Sequence, residues 1–174
     1  MNSDFQHKKP RQQGNPQERQ MQPLPKMEQG TKGVVTKQHI EELSKSEDST
    51  AFSELVKLSK HPNKGIRRAV VEAFSIRKEE ESINAIIYFL KNDSSWVVKR
   101  KAAETLGQKD MAGVPALMIA LQQDICCHVR EAAADALGRL KAKEATAALR
   151  AAMESDENVE VRTAATKALK AIEE

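Results

Sequence analysis

The feature that most constrains the fold is a ten-residue pattern that recurs four times at a nearly constant interval. Its copies begin at Ile66, Val98, Val129 and Val161, which are 32, 31 and 32 residues apart. In each copy an aliphatic residue precedes Arg or Lys, and small or apolar residues return four, seven and eight positions later. This spacing places the apolar side chains along one stripe of an α-helix. The copies read "IRRAVVEAFS", "VKRKAAETLG", "VREAAADALG" and "VRTAATKALK".

A second helical pattern lies beside each of these copies. The four segments are "FSELVKLSK", "SINAIIYFLKN", "VPALMIALQQ" and "ATAALRAAME". Pro115 falls near the start of its segment, where a helix tolerates a missing N–H, and Gly107 and Gly138 fall where a helix needs a stop. Each repeat is therefore expected to be two antiparallel helices. One such pair cannot bury the apolar faces of both helices, so the pairs must stack on one another.

The sequence therefore predicts an all-α fold, a right-handed α-solenoid of antiparallel helix pairs over residues 36–174. We expect a degenerate first repeat, three full repeats and a C-terminal half repeat. Residues 1–35 differ in composition, because they hold four of the six prolines, many glutamines and few large apolar side chains. Such a segment buries too little surface to offset its ordering entropy, which predicts a disordered tail. It would serve either as a solubilising extension or as a weakly basic tether.

The distribution of charge bears on the class of partner. Residues 1–38 carry seven Lys and Arg against three Asp and Glu, and the remaining residues carry 21 against 22. The helical part is therefore nearly neutral, which argues against a nucleic-acid footprint spread over its surface. There is no apolar run long enough for a signal peptide or a membrane span. The simplest expectation is a cytoplasmic protein that makes no membrane contact.

The repeat pattern, V-R-x-x-A-A-x-A-L-G followed by A-L-x-x-L, resembles the HEAT repeat. More narrowly it is similar to the short variety named after the phycobilisome lyases. The resemblance implies one of three roles: an adaptor, an accessory subunit of a bilin-attaching lyase, or a di-iron hydroxylase. The hydroxylase needs His-Glu dyads along the solenoid, whereas His39, His61 and His128 are followed by Ile, Pro and Val. HEAT-like DNA glycosylases also exist, which keeps nucleic acid as a distant alternative.

Basic residues occupy the same place in every copy, and an Asp precedes three of the copies by five residues. A phosphate-binding surface is one interpretation of this ladder. The favoured interpretation is structural, because a basic side chain in each repeat can bridge to an acidic residue of the loops. The ladder comprises Arg67, Lys99, Arg130 and Arg162 with Asp93, Asp124 and Asp156.

The second helices supply the candidate binding residues. Taking Ile83, Ile86 and Leu90 as a buried stripe puts Tyr88 on the far side of its helix. In HEAT arrays the second helices line the concave side, so equivalent residues would form an apolar row along that groove. Packing between repeats is the alternative for this row. The predicted row is Val56, Tyr88, Ile119 and Ala151.

Trp96, the only tryptophan, is placed by its sequence position in the loop before the third repeat, the one whose copy begins at Val98. Packing between repeats is favoured for it over a role as an exposed anchor. Cys126, Cys127 and His128 are the only clustered soft ligands, and adjacent residues converge poorly on a metal. We expect two ordinary cysteines, with a reactive thiol as the alternative, and no metal or cofactor.

The chain contains no G-x-S-x-G, P-loop, G-x-G-x-x-G or H-E-x-x-H motif. The leading hypothesis is therefore a non-catalytic adaptor that binds another protein through the concave face. The alternative is an accessory subunit of a modifying enzyme such as a bilin lyase.

Overall fold

A computed structural model describes residues 35–77, 79–109 and 111–174. The predicted tail, residues 1–35, lies outside the described residues except for Val35. The described residues form α-helices and two short 3-10 turns, Met111–Gly113 and Lys143–Ala145, without a strand. The helices are α1 Lys37–Lys45, α2 Ser49–Leu58, α3 Lys64–Ile76, α4 Glu80–Asn92, α5 Trp96–Leu106, α6 Val114–Gln123, α7 Cys127–Arg139, α8 Thr146–Ser155 and α9 Val159–Glu173.

Short polar side chains fix where several of these helices begin. Thr36 Oγ1 accepts the His39 N–H of α1 at 3.1 Å, and Asn63 Oδ1 accepts the Gly65 N–H of α3 at 2.7 Å. Asn158 plays the same role at the start of α9. Each cap satisfies a donor that has no partner within its helix. Pro115 lies in the first turn of α6, as predicted.

The helices form two layers. The first helices of successive repeats pack on one another in the order α1, α3, α5, α7 and α9, and α4, α6 and α8 form the second layer. Each of these second helices also packs against the first helix of the next repeat. The all-α solenoid is thereby confirmed.

The aliphatic residue that opens each repeat copy lies in a core that runs the length of the array. Val98, Val129 and Val161 are fully buried, and Ile66 is nearly so. Small residues dominate this core in the later repeats, where Ala102, Ala133 and Ala165 occupy equivalent positions with no exposed surface. Small side chains let neighbouring helices approach closely, which is the packing that the alanine-rich copies predict.

Two glycines have a different role from the one the sequence suggests. Gly107 does end α5, but its φ of −65° is one that any residue adopts. Gly138 lies inside α7, so the prediction of a helix stop there is wrong. A Cβ atom on Gly138 would lie 2.8 Å from the Ala168 Cβ, and one on Gly107 would lie 2.6 Å from the Ala136 Cβ. These glycines allow successive first helices to touch.

The actual stop of α7 is at Lys141, whose φ of 49° is in the left-handed region. Its N–H donates to the Gly138 carbonyl at 3.0 Å, and the Ala142 N–H donates to the Leu137 carbonyl at 3.1 Å. These two bonds close the helix end in a Schellman motif. A lysine fills the position that glycine usually takes.

Arg77 attaches the degenerate first repeat, and the repeat pattern gave no sign of this role. Its side chain is buried, and it donates hydrogen bonds to the carbonyls of Leu43 and Ser46 at the end of α1. The guanidinium also pairs with Glu79 and lies 5.7 Å from the centre of the Phe52 ring. These contacts satisfy carbonyls that the end of α1 leaves without helical partners.

Candidate functional site

The predicted apolar row lies on solvent-exposed surfaces of four successive second helices. Tyr88 is 61% exposed, Ile119 43% and Val56 41%, and Ala151 is also exposed. The intervening side chains of the same helices, such as Ile86 and Leu117, are fully buried. The row is therefore not consumed by packing between the described repeats, which is what a binding surface requires.

Two open grooves, each of about 410 Å³, lie between second helices, one between α4 and α6 and one between α6 and α8. The α4/α6 groove has Ile119 of the row in its wall, and the α6/α8 groove has Ala151. The first is lined by Leu90, Lys91, Lys99, Ala116, Ile119, Ala120, Gln123 and Asp124. The second is lined by Leu121, Gln122, Gln123, Asp124, Arg130, Ala148, Ala151, Ala152, Ser155, Asp156 and Glu157.

The structure brings the ladder residues together in pairs. Arg67 contacts Asp93 through two hydrogen bonds, Nε to Oδ2 at 2.7 Å and Nη2 to Oδ1 at 2.9 Å. Arg130 contacts Asp156 through the same two atoms at 2.8 and 2.9 Å. Both partners of each pair are largely buried. Such bidentate bonds fix the geometry between a first helix and the loop that ends its repeat.

Each ladder Asp also organises its own loop. One oxygen of Asp93, Asp124 and Asp156 accepts the backbone N–H two residues later, at 2.8 to 2.9 Å. The arginines in turn donate Nη1 to loop carbonyls five and six residues before them, as Arg67 does to Pro62 and His61. One Arg-Asp pair therefore holds two consecutive loops, and few of its donors remain for a ligand.

Lys99 differs from the arginines of the ladder, since within the described part of the chain its Nζ makes a single hydrogen bond, to Asp124 Oδ2 at 2.8 Å. Lys99→Arg should add a second bond to Asp124 and reach the carbonyls of Asp93 and Ser94, as arginines do in the other repeats. We expect the free energy of unfolding to rise by about 0.5–1.5 kcal/mol, the usual net value of one hydrogen bond. Urea denaturation measures the change. The reverse substitution, Arg67→Lys, is the matched control and should lower stability; a K99R midpoint at or below wild type would contradict the ladder geometry.

The ladder also makes stability depend on pH. Burial raises the pKa of Asp156, but hydrogen bonds from Arg130 and the Asn158 N–H outweigh it, so the pKa lies below its ordinary value of 3.8. A lowered folded-state pKa contributes stability that is present above 3.8 and is lost as pH falls through the folded-state value.

Asp156→Asn removes this contribution. We therefore expect the stability gap between wild type and D156N, measured by urea denaturation, to be largest near neutral pH and to narrow steadily below pH 3.8. Taking the difference in stability between the two proteins cancels the contribution of the other carboxyl groups to the pH dependence. A gap that stays constant down to pH 2.5, about one unit below that value, would show that Asp156 has no perturbed pKa.

Arg162 ends the ladder within the described residues. Its Nη1 donates to the Asp156 carbonyl at 2.8 Å and to the Glu157 carbonyl at 3.2 Å, as the other arginines do with their loops. No described carboxylate forms an ion pair with it, whereas Arg67 and Arg130 each pair with the Asp of the loop that follows the next helix.

Trp96 is the first residue of α5, so the prediction that it lies in the preceding loop is wrong. The side chain is 44% exposed, and its ring lies 5.1 Å from the His128 ring. It thus bridges two repeats at their edge while keeping an exposed face. Cys126 caps α7 and Cys127 begins it, and both thiols are free and half-buried.

Among the described residues, no three His, Cys, Asp or Glu side chains are grouped closely enough to hold a metal ion. In the same part of the chain, no helix combines the length and apolar character that crossing a membrane requires.

Comparison with known families gives a clear match. The model for HEAT repeats matches twice, over residues 24–107 and 83–170, and the two matches together span most of the chain. The match is to HEAT repeats in general and does not distinguish the phycobilisome-lyase variety. No curated protein matches the chain. HEAT repeats are generally protein-interaction scaffolds and are typically non-catalytic. On its repeat pattern, its layered helices and this match, the chain belongs to the HEAT-repeat family.

Proposed function

We propose that this protein is a non-catalytic adaptor that binds a segment of another protein across its second helices. The observation that carries the proposal is the row of exposed apolar residues at equivalent positions of α2, α4, α6 and α8. Apolar side chains stay in water at this position of four successive repeats and define an apolar strip. Covering such a strip releases water from apolar surface, which is a main source of binding free energy.

The other candidate binding surface is the basic ladder, and its contacts make it less suited to a ligand than the exposed row is. Arg67 and Arg130 are largely buried, and their guanidinium groups already donate hydrogen bonds to Asp93, Asp156 and loop carbonyls. A phosphate would have to displace a buried carboxylate and leave that charge without a partner, which is costly. The ladder therefore supports a framework role, and the exposed row supports a binding role.

The first-helix layer also offers little to nucleic acid. Arg68 and Lys101 both contact Glu72, and Arg100 pairs with Glu104 at 2.9 Å. Carboxylates beside these three cations weaken their attraction to a polyanion. An accessory-subunit role would use the same row, with a modifying enzyme as the partner, so the identity of the bound protein separates the two functions.

Tyr88→Asp combined with Ile119→Asp is expected to reduce recovery of the partner at least about tenfold when the tagged chain is purified from cells that express it. Each substitution puts a charge where the bound state would exclude water. The cost of burying that charge is well over the roughly 1.4 kcal/mol that corresponds to a tenfold loss of affinity. The readout is quantitative mass spectrometry of co-purified proteins. Both side chains are more than 40% exposed, so the fold should tolerate the change.

The matched control adds the same two charges to the other layer. Gln108→Asp with Thr163→Asp changes exposed residues at the first-helix surface and should leave partner recovery unchanged. If the row variant recovers the partner as well as wild type does, the second helices are not the binding surface.

A further inference from the structure

The two grooves between the second helices share a set of equivalent positions. Residues Leu90, Lys99, Ala116, Ile119 and Asp124 of the α4/α6 groove correspond to Leu121, Arg130, Ala148, Ala151 and Asp156 of the α6/α8 groove. Differences between the grooves are therefore properties of this chain and not of the repeat. Those differences concern charge and side-chain size.

The α4/α6 groove is basic. It is lined by two ammonium groups, Lys91 and Lys99, against the single carboxylate of Asp124. Lys99 pairs with Asp124, while Lys91 is exposed and forms no ion pair within the described residues. Lys91 is replaced by Gln122 at the equivalent position of the other groove. An acidic side chain of a partner would find an unpaired cation here.

The α6/α8 groove is acidic and has smaller side chains in its wall. It is lined by one guanidinium, that of Arg130, and by Asp124, Asp156 and Glu157. Arg130 pairs with the carboxylates of Asp156 and Glu157, whereas the Asp124 carboxylate pairs with Lys99. Glu157 Oε1 accepts a hydrogen bond from Arg130 Nη2 at 3.2 Å, but the Glu157 side chain is 84% exposed, so a second cation can reach its carboxylate from solvent. Alanines 148, 151 and 152 line the groove, and Ala151 stands where the other groove has Ile119. A long basic side chain could lay its methylene stem on these alanines and place its charged head near Glu157.

We infer that the protein segment bound on the second helices carries an acidic residue for the α4/α6 groove and a basic residue for the α6/α8 groove. This inference rests on the proposed function. It adds the charge pattern of the bound segment and the direction in which that segment crosses the two grooves. Helices that pack side by side lie about 8–10 Å apart. An extended chain advances about 3.3 Å per residue, so the two charged residues of an extended partner would be about three positions apart.

The test uses a phage-displayed library of random 12-residue peptides selected on the immobilised full-length chain. Peptides that bind are expected to pair an acidic with a basic residue, about three positions apart and in one consistent order. The most enriched peptide, made synthetically, is then titrated by fluorescence anisotropy against three proteins. These are wild type, the charge-reversed Lys91→Glu/Glu157→Lys and the row variant Tyr88→Asp/Ile119→Asp.

Charge reversal should weaken the peptide at least about tenfold in 50 mM NaCl and much less in 500 mM NaCl, because salt screens exposed charges. A peptide with its two charged residues exchanged should regain affinity for the reversed protein. Lys91→Gln/Glu157→Gln should give a smaller loss in the same direction, which guards against a folding defect in the reversed protein.

The outcomes separate the two claims. Selected peptides without a charge order, or equal binding to wild type and the charge-reversed protein, would overturn the inference while the row variant still abolishes binding. Peptides that bind the row variant as tightly as wild type would overturn the proposed function as well. Failure to enrich any peptide on wild type over the row variant would also overturn both.

Discussion

Arg130→Met is expected to lower the free energy of unfolding by about 3–5 kcal/mol, the usual cost of removing one partner from a buried ion pair. The Arg130 side chain is 9% exposed and that of Asp156 is 8% exposed. Methionine fills much of the volume but leaves the largely buried Asp156 carboxylate without its bidentate partner. It also frees the Asp124 carbonyl, which accepts Arg130 Nη1 at 3.0 Å. Urea denaturation followed by circular dichroism measures the loss.

Arg162→Met is the matched control, because Arg162 holds the same repeat position and contacts its loop carbonyls but no described ladder carboxylate. We expect it to cost about 1 kcal/mol or less. Arg130→Met with Asp156→Asn should be more stable than Arg130→Met alone, since a neutral amide is cheaper to bury than an unpaired carboxylate. Equal losses for Arg130→Met and Arg162→Met would mean that the ion pair contributes nothing beyond the carbonyl contacts.

Gly138→Ala is the second large effect, with an expected loss of about 1–3 kcal/mol from overpacking between α7 and α9. The new Cβ would lie 2.7 Å from the Ala168 Cα and 2.8 Å from its Cβ, so the backbones must separate. Alanine is better than glycine inside a helix by about 1 kcal/mol, and the steric strain must exceed this gain. Thermal and urea denaturation together give the change in stability.

Gly65→Ala serves as the control for Gly138→Ala. Its Cβ would meet only Asn63 Oδ1, at 3.1 Å, which is the far end of a side chain that can move slightly. We expect Gly65→Ala to leave stability unchanged or to raise it by a few tenths of a kcal/mol. A Gly138→Ala protein as stable as wild type would show that α7 and α9 can move apart without loss.

The repeat copies were enough to predict the helices and their layers, because an apolar stripe can be buried in only one way once the repeats stack. Val129 and Ala133 show this directly, since both are fully buried. The same pattern could not distinguish a helix stop from a close contact at Gly138. That distinction depends on the distance between the backbones of α7 and α9. The sequence of one helix does not give this distance.

Contacts outside the repeat register were also beyond the sequence. Arg77 holds the end of α1 through residues more than thirty positions away, and nothing in its own neighbourhood indicates this. The unequal charge of the two grooves was missed for another reason. Lys91 lies on α4, the alanines lie on α8 and Glu157 lies in the loop after α8, so only the packing of α4, α6 and α8 forms the two grooves.

The most direct test of the exposed row as the binding surface is site-specific photo-crosslinking in the cells that express the protein. A photoreactive phenylalanine analogue replaces Tyr88 or Ile119 in the row, or Gln108 or Thr163 on the first-helix layer. We expect a shared crosslinked protein from positions 88 and 119, and none from 108 and 163. Crosslinks from the first-helix positions with none from the row would contradict the proposal that this HEAT array binds its partner across the second helices.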